Sequence, residues 1–119
     1  MDNSSILQEH CLDGSGWYTG GLGSRNIKVD HRSKIAACTW GATPSIRVYY
    51  QLPNDLAIHE VCWDGTIWTG GATLSNAQFG SSLAAVQFQQ GGTHLRVYYQ
   101  ARDNTILEHC WDGSWLAGM

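Results

Sequence analysis

Charge is scarce in this chain. Asp, Glu, Lys and Arg make up 14% of its 119 residues, and the formal net charge is -3. Binding to phosphate backbones needs clustered Lys and Arg, so the composition argues against a nucleic acid partner. No apolar run is long enough to span a bilayer. The opening "MDNSSILQEH" has no basic-then-apolar stretch of the kind that directs secretion. The expectation is a soluble protein, cytoplasmic or non-classically released, with no membrane insertion. Cys11, Cys38, Cys62 and Cys110 form no C-x-x-C pair, which removes the usual signature of a zinc site. Three of them occupy equivalent places in related segments, "QEHCLDG", "HEVCWDG" and "LEHCWDG", and read as small buried hydrophobes rather than disulfide partners. No stretch combines helical periodicity with caps.

What the chain has is repetition. "IRVYYQ" at 46–51 returns as "LRVYYQ" at 95–100. Glu60 returns as Glu108, Trp40 as Phe88 and Trp68 as Trp115, all at a spacing of nearly fifty residues. Each full unit holds four short segments rich in β-branched and aromatic residues. The first unit reads "KIAACTW", "SIRVYYQ", "AIHEVCW", "IWTGGA"; the second reads "SLAAVQF", "HLRVYYQ", "TILEHCW", "SWLAGM". "TPS", "PND" and "RDN" read as turns, and the Asp-Gly of each "WDG" is a hairpin signal. The predicted fold is all-β, a β-propeller of four-stranded antiparallel blades. The small residues of "IAAC" and "LAAV" suit the crowded strand nearest the axis. Residues 1–24 form a partial blade with only the third and fourth strands, 25–73 a full blade, and 74–119 a second full blade.

Strand alternation places the polar residues. Arg47 and Tyr49 share one face, and Glu60 and Cys62 on the next strand face the same way. Trp63 faces the opposite side, with Trp68 just beyond the turn. Each blade therefore has one Arg/Glu side and one Trp side. Stacking blades around a ring brings unlike sides together in a cleft with a cation, an anion and two indoles. That set suits a sugar: charged groups bond its hydroxyls, and an indole covers its C–H face. Mutual Arg–Glu pairing would hold both side chains ready. An ordinary cross-strand ion pair with Trp packed between blades is the plainer alternative.

Two blades cannot close a ring, and alone they would leave edges and apolar faces in water. A homo-oligomer is expected, a trimer supplying six blades being favoured. The N-terminal hairpin does not fit that arithmetic; it packs outside, swaps with a neighbour's hairpin, or frays.

The ordered set R-V-Y-Y, E-x-C-W-D-G and W-x-x-G, present twice, resembles the Aleuria-type fungal and bacterial fucose-binding lectins over nearly the whole chain. The resemblance implies a six-bladed propeller binding L-fucose and fucosylated oligosaccharides between adjacent blades, without metal, cofactor or catalysis. Carried over residue by residue, it implies one site from Arg47 and Glu60 with Trp111 and Trp115, lined by loop backbone near Gly71 and Ala72. Arg96 and Glu108 would need indoles from a neighbouring chain, through Trp63 and Trp68. Glu9 and Trp17 are the partial blade's counterparts, but no Arg accompanies them, and Leu12 stands where Trp63 does. His10, His59 and His109 recur near the glutamates at non-equivalent positions, which argues against a shared metal. A propeller scaffold for protein–protein interaction is the alternative function. A glycosidase fits less well, because its acids would gather at one centre instead of recurring one per blade.

Overall fold

The computed structural model describes residues 5–118. Ten strands form three antiparallel sheets. A hairpin comes first, β1 (His10–Asp13) with β2 (Gly16–Thr19), followed by a short 3-10 turn, Gly21–Arg25. The second sheet is a meander of β3 (Ala36–Trp40), β4 (Ser45–Tyr50), β5 (Ala57–Trp63) and β6 (Trp68–Ser75). The third repeats it with β7 (Leu83–Gln89), β8 (Thr93–Gln100), β9 (Ile106–Trp111) and β10 (Trp115–Ala117). Within each sheet every strand hydrogen-bonds the next in sequence, because short polar turns leave no length for a crossover. Gly65 (φ 104°) and Gly113 (φ 106°) occupy the same place in the two Asp-Gly turns, with a backbone that L side chains resist. No helix among the described residues is long and apolar enough to cross a membrane.

The small-residue strands β3 and β7 approach one another closely, as the propeller expectation required of the innermost strands. Two apolar layers lie between sheets. One buries Tyr49, Ile58, Leu74, Ala77, Val97 and Tyr99 between the second and third sheets. The other buries Val48, Tyr50, Val61 and Trp68 of the second sheet against Leu7, Leu22 and Val29 of the N-terminal segment. The N-terminal segment thus neither frays nor sits outside; its Leu7, Leu22 and Val29 cover the next sheet's Trp side, and the hairpin lines a cleft over Trp63 and Trp68. β6 runs on to Ser75, past the 67–72 segment read from sequence, and β10 is shorter than its segment.

Buried polar groups fasten successive units. Gln51 is fully buried; its Nε2 donates to the Gln78 carbonyl (2.9 Å), and its Oε1 accepts the Gly80 N–H (3.1 Å). Asp30 anchors the loop ahead of β3. Its own N–H donates to the Gln51 carbonyl (2.9 Å). Its carboxylate accepts from Arg32 Nε (2.8 Å), Arg32 Nη2 (2.9 Å), the Arg32 N–H (2.8 Å) and the Asn54 N–H (3.4 Å). The Arg32 bonds hold this carboxyl far below its ordinary value of 3.8. A carboxylate depressed on folding stabilises above its unfolded pKa and loses that contribution as acid protonates the native form. Asp30→Asn is expected to cost about 1.5–3 kcal/mol at pH 7. Urea melts should show the gap to the parent chain narrowing once pH falls below the ordinary carboxylate value.

Candidate functional site

The glutamate is built by a bulge. In the β5–β6 ladder, His59 pairs with Thr73 and Val61 with Gly70, so Gly71 and Ala72 together oppose Glu60. The bulge aims the Ala72 N–H at Glu60 Oε1 (2.9 Å), while the Tyr49 hydroxyl donates to Oε2 (2.7 Å). Glu60 is 6% exposed, so these two donors take over from water. Burial, and then the Glu60 charge, push the Tyr49 hydroxyl well above its ordinary range, which keeps it a donor. Gly71 lacks a Cβ because the Glu60 carboxylate and the Cys62 sulfur occupy the space one would need. Gly20 stands in the same way under Glu9, and Gly118 under Glu108. The W-x-x-G spacing carries this requirement in all three units. Gly71 and Ala72 belong to β6, within the segment read over 67–72, where the family resemblance implied loop backbone.

The arginine is held by groups that sequence reasoning passed over. Arg47 Nη1 and Nη2 donate to the two oxygens of Asp64 (3.0 and 3.4 Å), and Nη1 also donates to the Ile46 carbonyl (3.0 Å). Its guanidinium lies 4.8 Å from the centre of the Trp40 ring. The second unit copies each contact. Arg96 donates to Asp112 (2.9 and 3.3 Å) and to the Leu95 carbonyl (2.8 Å), and it lies 5.1 Å from the Phe88 ring centre. The Tyr98 hydroxyl donates to Glu108 (2.7 Å). The expected mutual Arg–Glu pairing is therefore replaced. Arg47 and Glu60 share a face, at diagonal ladder positions, but each has its own partner. The Asp64 carboxylate takes the guanidinium, while the Tyr49 hydroxyl and the Ala72 N–H take the Glu60 carboxylate. The bond from Arg47 lowers the Asp64 pKa; His94 and then Arg96 lower that of Asp112. The signal was available, since "WDG" follows each glutamate strand, but it read only as a turn.

The thiols beside this face stay protonated at neutral pH. Burial, reinforced by Glu60, pushes Cys62 up to about 12, and burial raises Cys38 to about 11. All four cysteines are unpaired.

The indoles come in pairs. Trp63 and Trp68 lie 5.7 Å apart, Trp111 and Trp115 5.9 Å apart, both tilted. Trp115 meets the Tyr49 ring edge-on at 6.4 Å, so the indole pair of the third sheet abuts the residue that orients Glu60. The structure thus sets Trp115, with Trp111 beside it, against Tyr49 on the face that Arg47 and Glu60 share. Trp63 and Trp68 lie at a different junction. Trp68 is 5% exposed beneath the N-terminal segment, and both indoles line a 530 Å³ cleft with Glu9, Cys11, Tyr18 and Gly20. Arg25 lines the adjoining cleft on the same indoles. Their own chain's hairpin therefore covers the pair expected to serve a neighbour's Arg96 and Glu108. Trp17 is 70% exposed, and its cross-strand partner Leu12 lines the 530 Å³ cleft.

Gly71→Ala is expected to push the Glu60 carboxylate off the Ala72 N–H and cost about 1.5–3 kcal/mol in a denaturant melt. Gly70→Ala, where a Cβ meets open space, should change stability by less than about 1 kcal/mol. Known proteins are similar to this chain. Residues 1–118 match the family model described as fungal fucose-specific lectin. The fucose-specific lectin of Aleuria aurantia is 46% identical over 99% of this chain and 39% of its own length. That of Aspergillus fumigatus is 33% identical over 94% of the chain and 37% of its own length. This chain thus spans about two-fifths of these relatives. The Aleuria aurantia lectin structure, described as a six-bladed β-propeller, superposes with a TM-score of 0.90 at 47% identity, over 98% of this chain and 39% of that one. A fucose lectin from Kordia zhangzhouensis, solved with methyl-fucoside, superposes with a TM-score of 0.81 at 32% identity, over 99% of this chain and 84% of that shorter one. The chain belongs to the fungal fucose-specific lectin family.

Proposed function

We propose that this chain is a multivalent lectin that binds L-fucose and fucosylated glycans in the clefts between successive blades. The observation that carries this reading is the junction of the second and third sheets. There the polar half of one unit, Arg47 and Glu60 oriented by Tyr49, meets the indole half of the next, Trp115 with Trp111. Relatives support it: the Aleuria aurantia lectin has been solved with α-methyl-L-fucoside and with Fucα1-6GlcNAc. Residues 1–24, 25–73 and 74–119 serve as the partial and full units.

In this reading Arg47 and Glu60 bond the ring oxygen and hydroxyls, each charge-assisted bond being worth about 1.5–3 kcal/mol before ordering costs. The indoles cover the C–H face and the methyl group, adding roughly 0.5–1.5 kcal/mol. The polar half is pre-set, since Asp64 and Trp40 hold the arginine and the Ala72 N–H and Tyr49 hold the glutamate before a ligand arrives. The backbone of Gly71 and Ala72 supports the site through Glu60. Single sites of micromolar strength correspond to about −8 kcal/mol. Closing the ring with further copies multiplies the sites, and simultaneous engagement of a glycan surface raises avidity by about 10²–10⁴. In such a ring Arg96 and Glu108 take their indole half from a neighbouring copy. The family's named members are lectins, and the acids of this chain recur one per unit beside an arginine, a poor fit to hydrolysis.

The joint variant Arg47→Ala with Arg96→Ala is expected to abolish the heat of methyl α-L-fucoside binding in calorimetry, with circular dichroism and mass unchanged. Binding retained in that variant would remove the site assignment. Release of free fucose from an aryl fucoside would indicate a glycosidase. Silence in the parent chain would favour a scaffold.

A further inference from the structure

The second unit carries a side chain beside its arginine that the first unit does not. His94 stands where Ser45 stands one unit earlier, each two residues ahead of the arginine. The His94 Nδ1 lies 2.5 Å from Asp112 Oδ1, and its Nε2 lies 2.9 Å from the Gln90 carbonyl oxygen. The imidazole stacks on the Phe88 ring, with centroids 4.8 Å apart and planes 8° from parallel. Arg96 donates to the same Oδ1 (2.9 Å), and its guanidinium lies 5.1 Å from the same ring centre. Asp112 and Arg96 are the charged groups that act on His94; from β7 and the turn beyond it come only the Phe88 ring and the Gln90 carbonyl.

Both ring nitrogens thus face oxygens that only accept. A neutral imidazole has one N–H, so it would turn a lone pair towards one of the two; the imidazolium donates to both. We propose that His94 is a doubly donating imidazolium at neutral pH, and that it positions Arg96 by fixing the Asp112 carboxylate that the two cations share. The first unit has no such device. There the Ser45 side chain bonds Asp64, and a hydroxyl does not titrate near neutrality, so the tether of Arg47 is indifferent to pH in this range.

The Asp112 bond, and then the Gln90 carbonyl, hold the His94 pKa above its ordinary 6.5 against the smaller opposing effects of burial and of the Arg96 charge. A histidine raised on folding adds stability that is complete below its unfolded pKa and fades as pH climbs through the folded one. Once the proton leaves, one N–H must choose between two acceptors. The bond to the carboxylate is the stronger, so Nδ1–H stays on Asp112 and the Gln90 carbonyl is released. Gln90 belongs to the short turn between β7 and β8, whose other bond runs from its own N–H to the Gly92 carbonyl (3.0 Å). The neutral ring then holds Asp112 without a full charge and without its anchor on that turn, and Arg96 loses order. One consequence rests on the lectin reading. A less ordered Arg96 is less ready for a sugar, so a fucoside held through Arg96 should weaken several-fold as pH rises through the His94 midpoint, while one held through Arg47 should not.

Side-chain nitrogen NMR of the chain between about pH 5 and pH 9 tests this. At pH 7 both His94 ring nitrogens should carry protons, with a midpoint above 6.5; His109, which burial lowers, should titrate in the opposite sense. The Arg96 Nε resonance should move with the His94 midpoint, and that of Arg47 should stay flat. His94→Ser should abolish the pH response of Arg96, and its folding is favoured because Ser45 fills the equivalent place in the first unit. Asp112→Asn, in a partly exposed turn, should bring the His94 midpoint back towards 6.5. A parent chain in which His94 titrates at or below 6.5, or an Arg96 resonance that ignores the His94 proton, would overturn the proposal. So would methyl α-L-fucoside binding that Arg96→Ala weakens but pH does not. The expected NMR midpoints in a chain silent towards fucoside at both ends of the range would uphold the role of His94 and overturn the lectin reading instead.

Discussion

A four-stranded sheet with two apolar faces has no stable place in water until something covers each face. That constraint governs this molecule. Tyr49 and Val97 are buried to 0% only because one sheet lies on the next, and Val61 only because the N-terminal segment lies on the second sheet. Stacking is the source of the core, and it also brings unlike chemistry into contact. Strand alternation puts arginine and glutamate on one side of each unit and tryptophan near the other, so every junction that buries apolar surface also builds a cleft. In the proposed lectin reading, stability and recognition draw on the same contact.

The meander, its repeat length and the inner position of the small-residue strands were legible in the sequence. Two β-periodic units with Asp-Gly turns leave few other ways to pair neighbouring strands. The faces of Arg47, Tyr49, Glu60 and Cys62 were legible too, because the period of a strand is fixed at two. The partners of those residues were not. Whether Arg47 reaches Glu60 or Asp64 turns on the diagonal spacing and on where the turn directs its carboxylate. The bulge at Gly71 and Ala72 was hidden as well, since two residues opposing one leave the sequence pattern unmarked. In hindsight the glycine under each glutamate was the clue, repeated three times and read as family spacing without its steric cause.

The N-terminal hairpin shows how packing decides what pattern leaves open. Counting strands made it a remainder. Leu7, Leu22 and Val29, which flank it in the N-terminal segment, are nonetheless among the most buried of the described residues, and they cover Trp68 as another unit would. A fragment of a repeat can therefore behave as a repeat at the surface it covers, while its far face stays a different surface with different needs.

Under the proposed site assignment, the tether between each arginine and the aspartate of its neighbouring turn links recognition to loop length. Asp64 and Asp112 sit at the start of the two hairpin turns and set where the guanidinium points. Turns are the segments where insertions are best tolerated. One added residue there would leave the ladder intact yet swing the carboxylate aside and release the arginine from its aromatic seat. Units of identical strands can thus diverge in ligand preference through their turns alone, with no change in the core that holds them together.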